Sequence, residues 1–407
     1  MSNGISFKVI LLTPAFRNMD ASLEEAAKVS GASELKTMVR VTLPLMASPI
    51  ILVLALQLLR IFQSFETEQL LGTPFGFFVY STLIFDLVRD IPPRYGEATV
   101  LASITLLIVA LIIPVQRWML HRRLYTTVTA GFKPGLVDLG PLKWILFGLI
   151  TVLVVLLTIA PVAQLILQSF MTRAGYFDIQ PTFTLSHWSK VLTDSFFLSA
   201  LGNTIILAST AAILSPLLFS FLAYVLVRTR WRGRILLDLI IWGSGAVPGM
   251  LSGLGLLWLF IGTPGFNVLY GTLFALLIVV VIQGNTTGVN VAKGTFVQIG
   301  QEMEEAARVA GAGWFRTYFR IWIPLLMPTL TLLAVLNFTF AANTTSSIIL
   351  LADAGTQTLS IMALEFASPG TGLWEEASII SVIIILLTLG PAVVARIFGL
   401  KVGLRHS

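Results

Sequence analysis

The chain has 407 residues, 56% of them hydrophobic and 11% charged, with a mean hydropathy of +0.90 and a formal net charge of +6. Soluble domains carry about 25% charged residues, so this composition belongs to a membrane protein. There is no cysteine, which excludes disulfides, thiol catalysis and thiolate metal sites, and His121, His187 and His406 are too scattered to form a ligand cluster.

In chain order, Met1–Phe16 contains the apolar Ile10-Leu11-Leu12, which reads as the stub of a span and is too short for a signal-peptide core. A polar stretch follows. Ser22-Leu23-Glu24-Glu25 fits a capping box with Ser22 as N-cap and Glu25 at N3. The helix it opens should end at Gly31, in a left-handed residue. Pro44 should stand in the first turn of the next helix, where a missing N–H costs little. Charge-free runs then cover 41–59, 98–116, 144–172, 195–227, 239–292, 321–352 and 377–395. Crossing the hydrocarbon takes about 20 apolar residues in a helix. The run 239–292 is long enough for two spans, with Thr263-Pro264-Gly265 as the hairpin between them. The expectation is an all-α polytopic membrane protein with about eight transmembrane helices, near 45–63, 97–116, 144–168, 200–227, 236–260, 269–288, 325–343 and 377–398. Strands are excluded because the runs lack period-two alternation. Tyr80–Val88 and Leu359–Phe366 are apolar but too short to cross; short helices and irregular loops both fit them.

The basic residues set orientation. With the polar stretch at 22–45 in the cytoplasm, 21 of the 26 Lys and Arg fall on that side or at its helix ends. That is the positive-inside bias, and it leaves nothing for a nucleic-acid partner. External loops are expected near 64–96, 169–199 and 344–376. Segment 117–143 is basic and then rich in Gly and Pro, as a cytoplasmic connection would be.

The polar stretch occurs twice. EEAAKVSGASELKTMVRVTLPL (Glu24–Leu45) matches EEAARVAGAGWFRTYFRIWIPL (Glu304–Leu325) at 11 of 22 positions with no gap, at an offset of 280. Each copy pairs Glu with a base four residues on, Glu24 with Lys28 and Glu304 with Arg308. Ala26, Ala27, Ala306 and Ala307 keep one face narrow, so another backbone could come close. The second copy is preceded by four expected spans and the first by almost none. The chain is therefore expected to comprise two homologous halves, the first lacking its front helices: 1–116 as the C-terminal part of one half, 117–143 as a linker, and 144–407 as a complete second half.

Glu25-Ala26-Ala27, Gly31, Leu43-Pro44 and their counterparts Glu305-Ala306-Ala307, Gly311, Ile323-Pro324 resemble the cytoplasmic coupling signature of binding-protein-dependent ABC importer permeases. Gln63-Ser64-Phe65-Glu66, Leu70-Leu71-Gly72, Ser81-Thr82-Leu83-Ile84 and Leu359-Ser360-Ile361 are similar to the fused permeases of the iron(III)-type sub-family, which also contains thiamine, polyamine and phosphonate relatives. The resemblance implies a multi-pass protein of the bacterial plasma (inner) membrane with its C-terminus in the cytoplasm. It implies a permease that is not itself an enzyme and carries no cofactor. Its partners would be the lipid bilayer, two ATP-binding subunits holding ATP and magnesium, and an extracytoplasmic solute-binding protein. Ferric iron is the solute suggested. Glu24, Glu25, Ala26, Ala27, Gly31, Pro44, Glu304, Glu305, Ala306, Ala307, Gly311 and Pro324 would form the ATPase-coupling elbows. The chain itself has no phosphate-binding loop, since Lys293 lacks the required glycine frame.

Polar residues inside spans are functional candidates. Gln57 aligns with Asn337 and Gln63 with Asn343, so these amides either line a shared path or hydrogen-bond between helices. Arg60 aligns with Phe340 and could pair with Glu66 or meet an anion. Gly243, Gly245, Gly249, Gly253 and Gly255 would sit in one span and either allow close helix packing or act as a gating hinge. A gradient-driven secondary transporter, the rival class, would need midplane carboxylates, and the long runs contain none.

Overall fold

The computed structural model describes residues 12–13, 21–47, 50, 53–54, 64–122, 140–299, 302–368 and 370–397. The chain divides into two compact units, one made of 1–64 and 103–164, the other of 65–102 and 165–407. In the smaller unit α1 is Ala21–Val29 and α2 is Glu34–Thr37, continued by a π turn at Met38–Thr42 and a last helical turn at Leu43–Leu45.

The remaining elements are α3 (Glu66–Leu71), α4 (Tyr80–Arg89), α5 (Tyr95–Arg122), α6 (Leu142–Val154), a π turn at Val155–Ile159, α7 (Ala160–Phe170), α8 (Ser186–Thr193) and α9 (Ser195–Arg228). They continue with α10 (Arg234–Ala246), α11 (Gly249–Gly262), α12 (Leu273–Gln298), α13 (Glu302–Val309), α14 (Trp314–Thr317), a π turn at Tyr318–Trp322, α15 (Ile323–Asn343), α16 (Leu359–Ala367) and α17 (Trp374–Ile397). Among the described residues, five helices are long and apolar enough to cross a membrane: Leu142–Phe170, Ser195–Arg228, Leu273–Val297, Trp314–Asn343 and Trp374–Val394. The expected span at 45–63 falls mostly outside the described residues. α5 is one helix up to Arg122, so the connection expected at 117–143 starts later; 123–139 lie outside the described residues.

The span expected at 236–260 is not straight. α10 and α11 meet at an angle of 112°. Pro248 has no N–H to continue the ladder, and it holds Val247 extended at φ −76°, ψ 121°. Backbone groups exposed by such a break need partners in an apolar setting. The Gln283 side chain supplies one, donating to the Val247 carbonyl at 3.4 Å and to Ser252 Oγ at 2.6 Å. The glycines expected in one span are thus divided between two helices. Three of them mark close contacts. A Cβ on Gly245 would lie 2.4 Å from Thr286 Oγ1, one on Gly249 2.7 Å from Ser347 Oγ, and one on Gly253 2.7 Å from the Ser347 carbonyl oxygen. Gly243 and Gly255 face open space.

Both short apolar segments are helices, α4 and α16. They belong to one core of the larger unit, where Phe65, Ile84 and Phe85 are buried with Leu276, Ile348 and Leu364. Their buried faces explain why they fold as helices without crossing anything. A further short helix, α8, and a lone antiparallel bridge between Met171 and Phe183 occupy the 169–199 segment.

Gly253→Ala should cost about 1–3 kcal/mol of stability, because the new methyl meets a backbone carbonyl that cannot yield easily. Gly255→Ala should be neutral or mildly stabilising. Thermal unfolding in detergent micelles checks the pair, and equal midpoints for the two variants would contradict the packing described.

Candidate functional site: the two elbows

Each copy of the repeated motif folds the same way. α1 and α13 are short polar helices that end at Gly31 and Gly311, with φ of 80° and 72°. Only glycine takes this left-handed conformation without cost. The turn is closed by Ala32 N–H donating to the Ala27 carbonyl at 3.0 Å and Ala312 N–H donating to the Ala307 carbonyl at 2.9 Å. This six-to-one bond is the Schellman cap that satisfies a helix's last carbonyls. α2 and α14 follow, then the π turns, and every boundary from Glu34/Trp314 to Leu43/Ile323 keeps the offset of 280.

One expectation needs correction. Ser22 lies inside α1 and is not its N-cap, because the helix already includes Ala21. Pro44 and Pro324 stand in the first turn of Leu43–Leu45 and of α15, as expected, but the residues before them are already helical. The chain is helical from Glu34 to Leu45 and from Trp314 to Asn343, and each proline comes two residues after a π turn. A third π turn, Val155–Ile159, likewise stands two residues before Pro161. A π turn shifts the hydrogen-bond register by one residue. That shift lets the helix run on past a ring that lacks an N–H.

The elbow residues split into two faces. Glu25, Ala26, Glu305 and Ala306 are exposed, while Glu304 and Ala307 are buried and Glu24 and Ala27 half-buried. Only one alanine of each pair therefore lies on the outward face. Val29 and Val309, also counterparts, are each 90% exposed. Glu24 accepts a hydrogen bond from Thr42 Oγ1 at 2.6 Å. Glu304 accepts from Tyr224 Oη at 3.2 Å and forms an ion pair with Arg308, in the order the sequence suggested. The Lys28 side chain lies outside the described residues.

Around the second elbow an aromatic cluster forms that the sequence reading did not anticipate. Tyr224 of α9 stands edge-on to Trp314, Tyr318 and Phe296 at centroid distances of 5.8, 5.7 and 5.9 Å. Trp322 is fully buried. The Arg228 guanidinium lies 4.9 Å from the Trp322 ring centroid and donates to the Phe296 carbonyl at 2.8 Å and to that of Ile299. Edge-to-face pairs contribute about 0.5–1.5 kcal/mol each beyond area burial. The elbow is thus fixed to the ends of α9 and α12. One available signal was the difference between the copies, since Trp314, Tyr318 and Trp322 replace Glu34, Met38 and Thr42.

Of the residues considered for a path, Gln57, Arg60 and Gln63 lie outside the described residues. Asn337 is buried; its Nδ2 donates to the Leu333 carbonyl at 2.8 Å, and a Cβ on Gly284 would lie 2.7 Å from its Oδ1. Asn343 is exposed at the end of α15. Lys293 pairs with Asp238 at 2.7 Å, joining α12 to α10. Among the described residues no group of three His, Cys, Asp or Glu is placed to hold a metal ion.

The model of one family, the binding-protein-dependent transport system inner membrane component, matches residues 2–125 and 216–401, and so takes in both elbows. The chain belongs to this family. Its members are transport components and not enzymes. A ferric transport system permease protein of Actinobacillus pleuropneumoniae is 26% identical over 372 residues, covering 90% of this chain and 52% of the relative. A putative ferric transport system permease protein of Haemophilus influenzae is 27% identical over 364 residues, covering 88% of this chain and 56% of the relative. The chain spans about half the length of these curated relatives. A molybdate/tungstate transport system permease protein of Pyrococcus abyssi is 27% identical over 207 residues, covering 51% of this chain and 80% of the relative. Among solved structures, a chain of a bacterial ABC transporter that imports alginate shares the fold. Its TM-score is 0.50 at 17% identity, covering 63% of this chain and 96% of that one.

Tyr224→Phe removes one donor from the buried Glu304 carboxylate, a loss of about 1–3 kcal/mol. Amide hydrogen exchange in 302–309 should speed up while exchange in α17 stays unchanged. Unaltered exchange in 302–309 would contradict the anchoring role of this bond.

Proposed function

We propose that the chain is a permease subunit of an ATP-driven solute importer, and that its two elbows are the docking points for a pair of ATP-binding subunits. The observation that carries this reading is the duplicated geometry. Two polar helices end in the same left-handed glycine turn, run on through the same π turn, which in the second copy leads into the apolar helix α15, and present Glu25, Ala26 and Val29, or Glu305, Ala306 and Val309, on the outside. Such a lever has one end free to be pushed and one end rooted in a span. Glu24, Ala27, Glu304 and Ala307 hold it in place, and Pro44 and Pro324 stand where it joins the apolar helix. ATP and magnesium belong to the partner subunits.

In this reading the chain is a multi-pass protein of the inner membrane, with both elbows and the C-terminus in the cytoplasm. Segment 1–116 ends one repeat, 117–143 links the two, and 144–407 forms the other. A solute-binding protein would deliver cargo on the side of segments 64–96 and 344–376, which the charge pattern makes external. Ferric iron is the solute proposed, since the two relatives that match about 90% of this chain are named for ferric transport.

Replacing both Glu25 and Glu305 with Ala changes the exposed faces and leaves the inward hydrogen bonds of Glu24 and Glu304 in place. Co-purification of the ATP-binding subunit should fall sharply with no loss of thermal stability. Co-purification at the unsubstituted level would count against docking at the elbows.

A further inference from the structure

The repeated motif carries one pattern that docking at Glu25 and Glu305 leaves unused. In α14 and the π turn after it, an apolar residue followed by a base occurs twice, one helical turn apart, as Phe315-Arg316 and Phe319-Arg320. The first copy has Leu35-Lys36 and Val39-Arg40 at the same positions. Residues four apart on a helix are neighbours, and like charges so placed repel. A lone helix gains nothing from such a pair, yet both copies hold it. An anion lying between the two charges relieves the repulsion.

Lys36, Arg40, Arg316 and Arg320 are all exposed. Other bases of the larger unit are engaged: Arg308 pairs with Glu304, Lys293 pairs with Asp238, and Arg228 donates to the Phe296 and Ile299 carbonyls. Among the described residues no carboxylate stands within ion-pair distance of Lys36, Arg40, Arg316 or Arg320. The rings beside the two arginines also face outward. Trp314 and Tyr318 turn onto Tyr224, whereas Phe315 is 71% and Phe319 56% exposed. In the first copy Val39 is 52% exposed.

Helix length sets the depth of these groups. Trp314–Asn343 is one run of 30 residues, which at about 1.5 Å per residue reaches about 45 Å. The hydrocarbon is about 30 Å thick, and about 40–45 Å with both headgroup layers. The charge-free part of the run starts at Ile321, so residues 314–320 occupy a headgroup layer. The anions of that layer are lipid phosphates, and aromatic rings and long basic side chains are at home there. We propose that Arg316 and Arg320 together bind the headgroup of one anionic phospholipid, with Phe315 and Phe319 against the upper part of its acyl chains, and that Lys36 and Arg40 form the equivalent site in the first copy. An anionic lipid is preferred to a zwitterionic one because its phosphate carries no neighbouring cation to oppose the two bases. The inference goes beyond the permease reading and needs only that each motif leads into a bilayer-crossing helix.

The full chain in detergent micelles is mixed with equal amounts of phosphatidylglycerol and phosphatidylcholine, and the lipids it retains are counted by native mass spectrometry, which tells the two apart. Each elbow should retain one phosphatidylglycerol, several-fold more often than phosphatidylcholine. Arg316→Gln with Arg320→Gln should remove one of these molecules, and Lys36→Gln with Arg40→Gln the other. With all the changes combined the two lipids should be retained alike. Thermal midpoints in phosphatidylcholine alone should not move, since these side chains are exposed. Arg316→Lys with Arg320→Lys keeps both charges and should keep the lipid; a loss as complete as with Gln would overturn the electrostatic account. Equal retention of the two lipids by the unsubstituted chain would overturn both sites, and a Gln pair that changes nothing would overturn the site it belongs to. A combined variant that still prefers phosphatidylglycerol but no longer co-purifies with the ATP-binding subunit would assign this face to a protein and overturn the lipid assignment. Lipid retention is read on the chain alone, so a failure of the elbows to dock an ATP-binding subunit is seen separately.

Discussion

Two glycine turns constrain everything else. At Gly31 and Gly311 the backbone takes a positive φ, and one hydrogen bond across each turn, from Ala32 to Ala27 and from Ala312 to Ala307, closes the preceding helix. A residue with a Cβ would strain that turn. The turn sets the direction in which the chain leaves the polar helix, and in the second copy the π turn and proline that follow let it enter α15 without a break. From Trp314 to Asn343 the second elbow and the spanning helix are one continuous helical piece.

The second elbow shows how such a lever is fixed from the side. Glu304 points inward to Tyr224 and Arg308, Trp322 is fully buried, and Arg228 binds both the Trp322 ring and the end of α12. Helices in a bilayer gain little from the hydrophobic effect between them, so close packing and polar contacts hold them together. The glycine contacts of α10 and α11 against Thr286 and Ser347 are of the same kind. The second elbow is thus joined to α9 and α12 through aromatic rings and one guanidinium.

The doubling of the motif was legible in the sequence because identities at fixed spacing survive whatever the fold does. Five of the expected spans were legible because hydrocarbon leaves few choices of residue; for α4 and α16 the sequence showed only runs too short to cross and left helix and loop open. The bend at Val247-Pro248 was hidden: a charge-free run reads alike whether straight or folded by 112°, and the Gln283 bonds that satisfy the break come from residues more than 30 positions away. The anchoring of Glu304 by Tyr224 was hidden for the same reason, with 80 residues between the partners. Ser22 fitted a capping box on composition alone, yet α1 extends past it. The π turns carry no compositional mark of their own, although a proline stands two residues after each of the three.

The account stands on both elbows being reachable from the same side of the membrane. Ser30 and Ala310 are exposed counterparts next to the two glycines, in a chain that has no cysteine of its own. Each is replaced singly by cysteine and labelled in sealed right-side-out and inside-out membrane vesicles with a thiol reagent that cannot cross the bilayer. Labelling of both positions only in inside-out vesicles is the predicted result. Labelling of one position from each side would contradict the account.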